Sequence, residues 1–344
     1  MKLNILRGKI AWFGKQSGYE PLTDYFPANT NVNIVSVGTS FLGKLIGKSI
    51  QILLKWQQKN PQDTYAEFKL LNKTDTASVS HLLYMEGHID LINKTPESKI
   101  GSLVGTIHLP KSEWKEDRLA LLKKYKNVII LYKEEIPFFS KYIPEEKIKF
   151  IRLGINVDFF KPNNETAIIN NKILIIGHYL RNFDMLYKVY DKISKELDKL
   201  EFHIVIPPMF RNIPELQLMV KEKNVFFHQN LSDQELLEQY QNSNVLLIPM
   251  NNSGANTAIV QALSAGLPVI TTDVGGIRSY GGGDVFPLVE NNDVNAMLEL
   301  LRKYQLDGNF RDEIAKRQRQ FSIDYLDWKI IAQEHLDFYK SIHN

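Results

Sequence analysis

Ser253, Gly254, Asn256, Thr257 and Gln261 have the types and spacing to hold an anion and the group attached to it. The apolar run Val245-Leu246-Leu247-Ile248 stops at Pro249, and a polar loop with one glycine follows, as when a buried parallel strand delivers its carboxyl end to a loop. Asn256 is a good N-cap, Ile259, Ala262 and Leu263 form one apolar face, and Gly266 with Pro268 stops the predicted helix before a strand at Val269–Thr272. A loop and helix N-terminus in that position leave backbone N–H groups unpaired, and the helix dipole favours an anion such as phosphate. Gln261 lies four residues after Thr257, on the same face one turn deeper, in reach of whatever the phosphate carries. An ordinary βαβ crossover has the same pattern, so the stretch alone leaves both readings open.

Other residues fit the same chemistry. Gly177 follows a predicted strand at Lys172–Ile176, and Arg181 comes just before a helix from about Asn182; its forked guanidinium suits phosphate and offsets charge on a leaving diphosphate. His108 sits at the carboxyl end of a strand over Leu103–Ile107 that Pro110 turns out of the sheet, where ligands gather in open α/β sheets. Near the start, Ile10-Ala11-Trp12-Phe13 reads as a strand running into Gly14-Lys15-Gln16-Ser17-Gly18, a glycine-bracketed loop that permits close approach of a ligand.

No cysteine occurs, which excludes disulfides, thiolate metal sites and cysteine nucleophiles. No His/Asp cluster has metal-ligand spacing and no Asp-x-Asp stands beside a strand, so no bound metal is expected. A net charge of +3 on 344 residues gives no global field pointing to nucleic acid. With 44% hydrophobic and 24% charged residues the chain reads as globular, and it lacks an N-terminal apolar segment of signal or membrane length, so a cytoplasmic location is expected.

These groups have to be positioned by strands alternating with helices along the whole length, the pattern of two doubly wound parallel sheets. Residues 154–164 carry a glycine and a proline without helical period and read as a linker. The domains expected are 1–155, joined by a last amphipathic helix within 324–344, and 163–322. Tyr65–Leu71 and His81–Met85 read as short β-like runs. Residues 40–58 form a helix with Leu42, Leu45, Ile46, Ile50, Leu53 and Leu54 apolar and Lys44, Lys48 and Lys55 between them. Such a helix is either a crossover helix with solvated lysines or a peripheral contact with the inner face of an anionic membrane.

Ala265-Gly266-Leu267-Pro268-Val269, Asp273-Val274-Gly275-Gly276 and the crossing Ile151-Arg152-Leu153-Gly154-Ile155-Asn156-Val157-Asp158 resemble the retaining GT-B glycosyltransferases of family four. The family's two glutamates eight positions apart are replaced by Ser253 and Gln261. The resemblance implies two Rossmann-like domains facing a cleft and a UDP- or GDP-linked sugar as donor, with no further cofactor. It implies that Gln261 meets the ribose hydroxyls, Ser253 stands where the donor sugar is contacted, and Gly177 and Arg181 hold the diphosphate. It further places Asn230, within His228-Gln229-Asn230-Leu231, beside the base, His108 facing the donor sugar, and Gly14, Ser17 and Gly18 on the acceptor side. The activity expected is transfer of a sugar to a glycan or lipid-linked acceptor with retention, in cell-surface polysaccharide or glycoconjugate synthesis. The alternatives are a nucleotide- or sugar-binding protein without turnover and a nucleotide-sugar epimerase.

Overall fold

The computed structural model describes residues 1–8, 14–55, 60–88, 90–96, 100–163, 171–197 and 199–343. The chain divides into two compact units, one of Met1–Ala11, Gly18–Ile151 and Lys329–Asn344, the other of Trp12–Ser17 and Arg152–Trp328.

Among the described residues the first unit is built on six parallel strands, β1 (Lys2–Arg7), β2 (Asn31–Ser36), β3 (Ser78–Leu82), β4 (Ser102–Ile107), β5 (Asn127–Ile130) and β6 (Ile148–Phe150), in the order β2-β1-β3-β4-β5-β6. The second unit has five parallel strands, β7 (Lys172–Ile176), β8 (Glu201–Val205), β9 (Val225–His228), β10 (Val245–Ile248) and β11 (Val269–Thr271), in the order β11-β10-β7-β8-β9. Val245, Leu246, Leu247 and Ile248 are all fully buried, which is why β10 is an unbroken apolar run rather than an alternating one. Burial of each such side chain is worth about 1.5–3 kcal/mol. The chain winds outward from β1 and from β7 in both directions, so each sheet has a reversal point, between β1 and β3 and between β7 and β10. A crevice for ligands opens at the strands' carboxyl ends at such a point.

The helices used below are α1 (Phe41–Leu53), α2 (Pro61–Leu71), α3 (Phe183–Glu196), α4 (Asp233–Gln241), α5 (Thr257–Ala265), α6 (Val294–Leu306), α7 (Gly308–Tyr325) and α8 (Trp328–Ile342). α3 starts at the expected place because the Asn182 side chain accepts from the Met185 N–H. α5 is closed by Gly266 in the left-handed region at φ 68°.

Several expectations differ from what is observed. Tyr65–Leu71 belongs to helix α2: Asn60 caps it, Pro61 opens its first turn, and Thr64, Ala66, Glu67 and Leu70 are buried. The β-prone side chains Tyr65 and Phe68 are outvoted by that start signal. The strand expected at His81–Met85 lies at Ser78–Leu82. The helix over 40–58 is described to Leu53, and residues 56–59 lie outside the described ones. Ile10–Phe13 also lies outside them, and the first described strand is β1. The last helix begins at Trp328, because Ile155 N–H donates to Leu326 O and Trp328 N–H to Ile155 O, which opens the chain between α7 and α8.

Candidate functional site

At the reversal point of the second sheet the loops after β7 and β10 are joined by their main chains. Asn182 N–H donates to Pro249 O and Asn251 N–H to Leu180 O, both at 2.9 Å, and Arg181 bridges Met250. Gly177 has φ 81°, and a Cβ there would lie 2.8 Å from Arg181 Nη2, so the glycine lets the guanidinium fold back over its own loop. Arg181 Nε donates to Ile176 O at 3.0 Å, and Nη1 donates to Tyr179 O at 3.0 Å and meets Met250 Sδ at 2.8 Å. The expected free phosphate ligand is therefore in large part an anchor between loops, leaving Nη2 without a hydrogen bond to a described residue. Burial pushes the Arg181 pKa down to about 10, so the group is a cation at neutral pH.

The N-terminus of α5 lies in the second of these loops. Asn256 Oδ1 accepts from Ala258 N–H at 3.2 Å and Ile259 N–H at 3.4 Å. Thr257, its first residue, is half-buried, and Gly254 is buried in the loop before it. A third loop closes on them: Gly276 N–H donates to Ser253 O at 2.7 Å. A Cβ on Gly275, which has φ 52°, would come within 2.0 Å of Ser253 O, so this approach needs glycine twice over.

Two residues expected to face the donor turn away from solvent instead. Ser253 is 1% exposed and its Oγ donates to Gly254 O at 2.9 Å, because a side chain this short finds its partner in its own loop. Gln261 is 2% exposed; its Oε1 accepts from Tyr240 OH at 2.9 Å and its Nε2 donates to Ser17 Oγ at 2.8 Å. Each end of the amide thereby has a partner inside the protein, one bond at the oxygen and one at the nitrogen.

The loop of Gly14 and Ser17 was expected with the first domain, and it packs within the second unit, whereas Gly18, at φ 87°, belongs to the first. Lys15 N–H and Gln16 N–H donate to the same Asp233 Oδ2 at 2.8 and 3.2 Å, and Asn156 Nδ2 donates to Gln16 Oε1 at 2.9 Å. A Cβ on Gly14 would lie 1.8 Å from Asp233 Oδ1, so only glycine lets the loop come this close. Two successive backbone N–H groups on one carboxylate satisfy a negative charge that would otherwise compete for water. Asp233 and Tyr240 escaped the sequence reading. The Ser232/Glu235 capping box announces α4, yet nothing local shows what α4 packs against.

His108 stands in the first unit. Its Nε2 lies 2.5 Å from Leu83 O, so that nitrogen carries the proton and Nδ1 is the acceptor. Its N–H and that of Leu109 donate to Glu86 Oε1 at 2.6 and 2.9 Å, and its ring stacks on Tyr84 with centroids 4.4 Å apart. Burial lowers its pKa to about 4, so the imidazole is neutral near pH 7 and suited to orienting a hydroxyl rather than donating a proton as an acid.

Asn230, just after β9, is exposed at φ 53°. A ring pair that sequence reasoning missed, His178 on Phe210 with centroids 3.4 Å apart, stands on the loops after β7 and β8. Among the described residues no group of three or more His, Cys, Asp or Glu is arranged to hold a metal ion.

Residues 157–321 match the family described as Glycosyl transferases group 1. Over 73 residues, 21% of this chain, the sequence is 29% identical to TuaC of Bacillus subtilis (strain 168), a protein assigned to teichuronic acid biosynthesis as a glycosyltransferase. Over 117 residues, 34% of this chain, it is 28% identical to the capsular polysaccharide biosynthesis glycosyltransferase CapM of Staphylococcus aureus. The aligned stretches take in 19% and 30% of those relatives' own lengths. The crystal structure of Anabaena Alr3699/HepE in complex with UDP and glucose superposes with a TM-score of 0.76 at 14% identity, covering 99% of this chain and 100% of that one. The fold, two parallel-sheet α/β domains, is GT-B.

Proposed function

We propose that the chain is a glycosyltransferase that moves a sugar from a UDP- or GDP-linked donor to a saccharide or lipid-linked saccharide acceptor in cell-surface polysaccharide synthesis, in the cytoplasm. The observation that carries this reading is the meeting of the α5 N-terminus with the Arg181 loop at the reversal point of the β7–β11 sheet, inside the stretch that matches the glycosyltransferase family. The relatives' assignments to teichuronic acid and capsular polysaccharide synthesis support the acceptor class. The UDP and glucose bound by the Anabaena protein support the donor class.

The chemistry is breakage of the bond between the anomeric carbon and the diphosphate oxygen, formation of a bond to an acceptor hydroxyl oxygen, and loss of that hydroxyl's proton. What needs stabilising is negative charge on the departing diphosphate. The backbone N–H groups around Gly254 and Thr257, the α5 dipole and the Arg181 guanidinium are the positive groups that do so in this reading, without a metal ion. Asn230 lies beside the base, and the product retains the anomeric configuration.

A second reading, binding of a nucleotide or sugar without turnover, is favoured by one observation: the side chains of Ser253 and Gln261 are both turned into the protein. Release of nucleoside diphosphate from UDP- and GDP-sugars, measured with and without saccharide acceptors, separates the readings. Transfer gives acceptor-dependent release and a glycosylated product, the binding protein gives neither, and an epimerase converts the donor sugar with no acceptor present.

A further inference from the structure

α1 packs the wrong way round for an ordinary crossover helix. Its buried face is Gly43, Gly47 and Gln51, one residue per turn. A Cβ on Gly47 would lie 1.7 Å from Pro61 O and one on Gly43 2.9 Å from the Tyr65 ring, so the glycines bring α1 close against α2. Gln51 Nε2 seals that seam by donating to Thr64 Oγ1 at 2.9 Å. The small, polar face is inside and the large apolar one outside: Phe41 is 75% exposed, Leu42 65%, Leu45 49%, Ile52 67% and Leu53 81%. At 100° per residue Phe41, Leu45 and Ile52 fall on one line, with Leu42 and Leu53 beside it. A contiguous apolar face of this kind on a helix is a binding surface rather than scattered exposure.

Charge says what covers it. From Ser40 to Lys55 the sequence contains Lys44, Lys48 and Lys55 and no acidic residue. Lys44 and Lys48 are exposed on the flank of the apolar line. Lys94, also exposed, brings its ammonium to Leu54 O at 3.4 Å, beside the helix's carboxyl end. An apolar face bordered by ammonium groups, on a helix with no carboxylate of its own, matches the boundary of an anionic bilayer, where acyl chains take the apolar side chains and headgroups the lysines. Among the described residues no helix is long and apolar enough to cross a membrane, and at 13 residues α1 lies along a surface instead.

We infer that α1 is a docking surface for an anionic lipid bilayer, with Phe41, Leu45, Ile52 and Leu53 entering the acyl boundary and Lys44 and Lys48 meeting the headgroups. The inference stands apart from glycosyl transfer and is tested without it.

The test is sedimentation of the full chain with phosphatidylcholine vesicles, alone or mixed with phosphatidylglycerol, at low and high salt. The wild type should sediment with the mixed vesicles at low salt, leave them at high salt and ignore phosphatidylcholine. Lys44→Glu/Lys48→Glu should weaken partitioning at least about fivefold for each lysine changed. Leu45→Ser/Leu53→Ser should abolish it with an unchanged melting temperature, since both side chains are exposed. No sedimentation at low salt, equal sedimentation with phosphatidylcholine alone, or an unaltered serine variant overturns the inference. So does a concentration-dependent dimer that the serine variant dissolves and vesicles do not bind, which would show that a second copy covers α1.

Discussion

Gln261 Nε2 donates to Ser17 Oγ at 2.8 Å, joining side chains 244 positions apart in the sequence. With Tyr240 OH on its Oε1, the amide at 261 ties α5, α4 and the loop of residues 14–17 together. A glutamate could not play this part in the same way, because a carboxylate has no N–H to give to Ser17 while it accepts from Tyr240.

Replacing Gln261 by leucine should cost stability first. Ser17 Oγ loses its partner, at about 1–3 kcal/mol when nothing replaces it, while Tyr240 OH keeps Ala258 O at 3.3 Å. Urea unfolding should show a lower midpoint with an unchanged slope. Loss of nucleotide affinity at full stability would instead restore the ribose contact.

Asp233→Asn should loosen the loop above it. The variant keeps an oxygen acceptor but loses the charge that makes the bonds from Lys15 and Gln16 strong, about 1 kcal/mol. Amide hydrogen exchange at Lys15 and Gln16 should then speed up about five- to tenfold, while α4, still capped by Ser232 and Glu235, loses only the contribution of a carboxylate at its first position, about 0.3–1 kcal/mol. Unchanged exchange would show that the loop is held from elsewhere.

Acid should destabilise the first unit through its buried imidazoles. His335 Nδ1 lies 2.7 Å from Ile331 O and its Nε2 2.5 Å from Tyr19 OH, while His81 bonds Tyr339 OH and Thr106. Burial lowers the His335 pKa to about 4 and that of His81 well below its ordinary value, with His335 and His108 nearby acting in the same direction on His81. The unfolded chain takes up these protons below about pH 6.5 and the folded chain only near pH 4, so stability falls as pH drops through that window. His335 alone should account for about 3 kcal/mol. Glu20 and Glu86, raised mainly by burial, act with the opposite sign from pH 4.5 upward, because the folded carboxyls hold their protons longer. Denaturation between pH 7 and about pH 4.5 should show a positive slope of stability with pH that His335→Gln flattens. An identical slope in the variant would assign the acid sensitivity to other groups.

The second sheet was legible because it announces itself locally: β7, β9 and β10 are apolar runs bounded by turn residues, and Asn182 and Asn256 mark helix starts with side chains that do cap them. α2 was missed because Tyr65 and Phe68 carry β propensity while its capping residue, Asn60, stands outside the run. Gly177, Arg181, Gly254, Asn256 and Thr257 were readable as loop and helix-start residues, but only the observed strand order brings their loops to one reversal point. The inward turn of Ser253 and Gln261 was not, since their partners are set by the loop after β11 and by residue 17. The outward apolar face of α1 was hidden for a related reason: hydrophobic period says which residues share a face, and only Gly43 and Gly47 packing on α2 decides which face is buried.

The central claim, that the α5 N-terminus receives a nucleoside diphosphate, is tested most directly by calorimetric titration of UDP and GDP into the wild type and Thr257→Glu. Thr257 is half-buried at the first position of α5, where a carboxylate favours the helix by about 0.3–1 kcal/mol. The same carboxylate would occupy the anion's place and repel a diphosphate, so binding should weaken at least about tenfold while the melting temperature holds or rises. Equal affinity in wild type and variant, or no binding of either nucleotide by a folded wild type, would contradict the account.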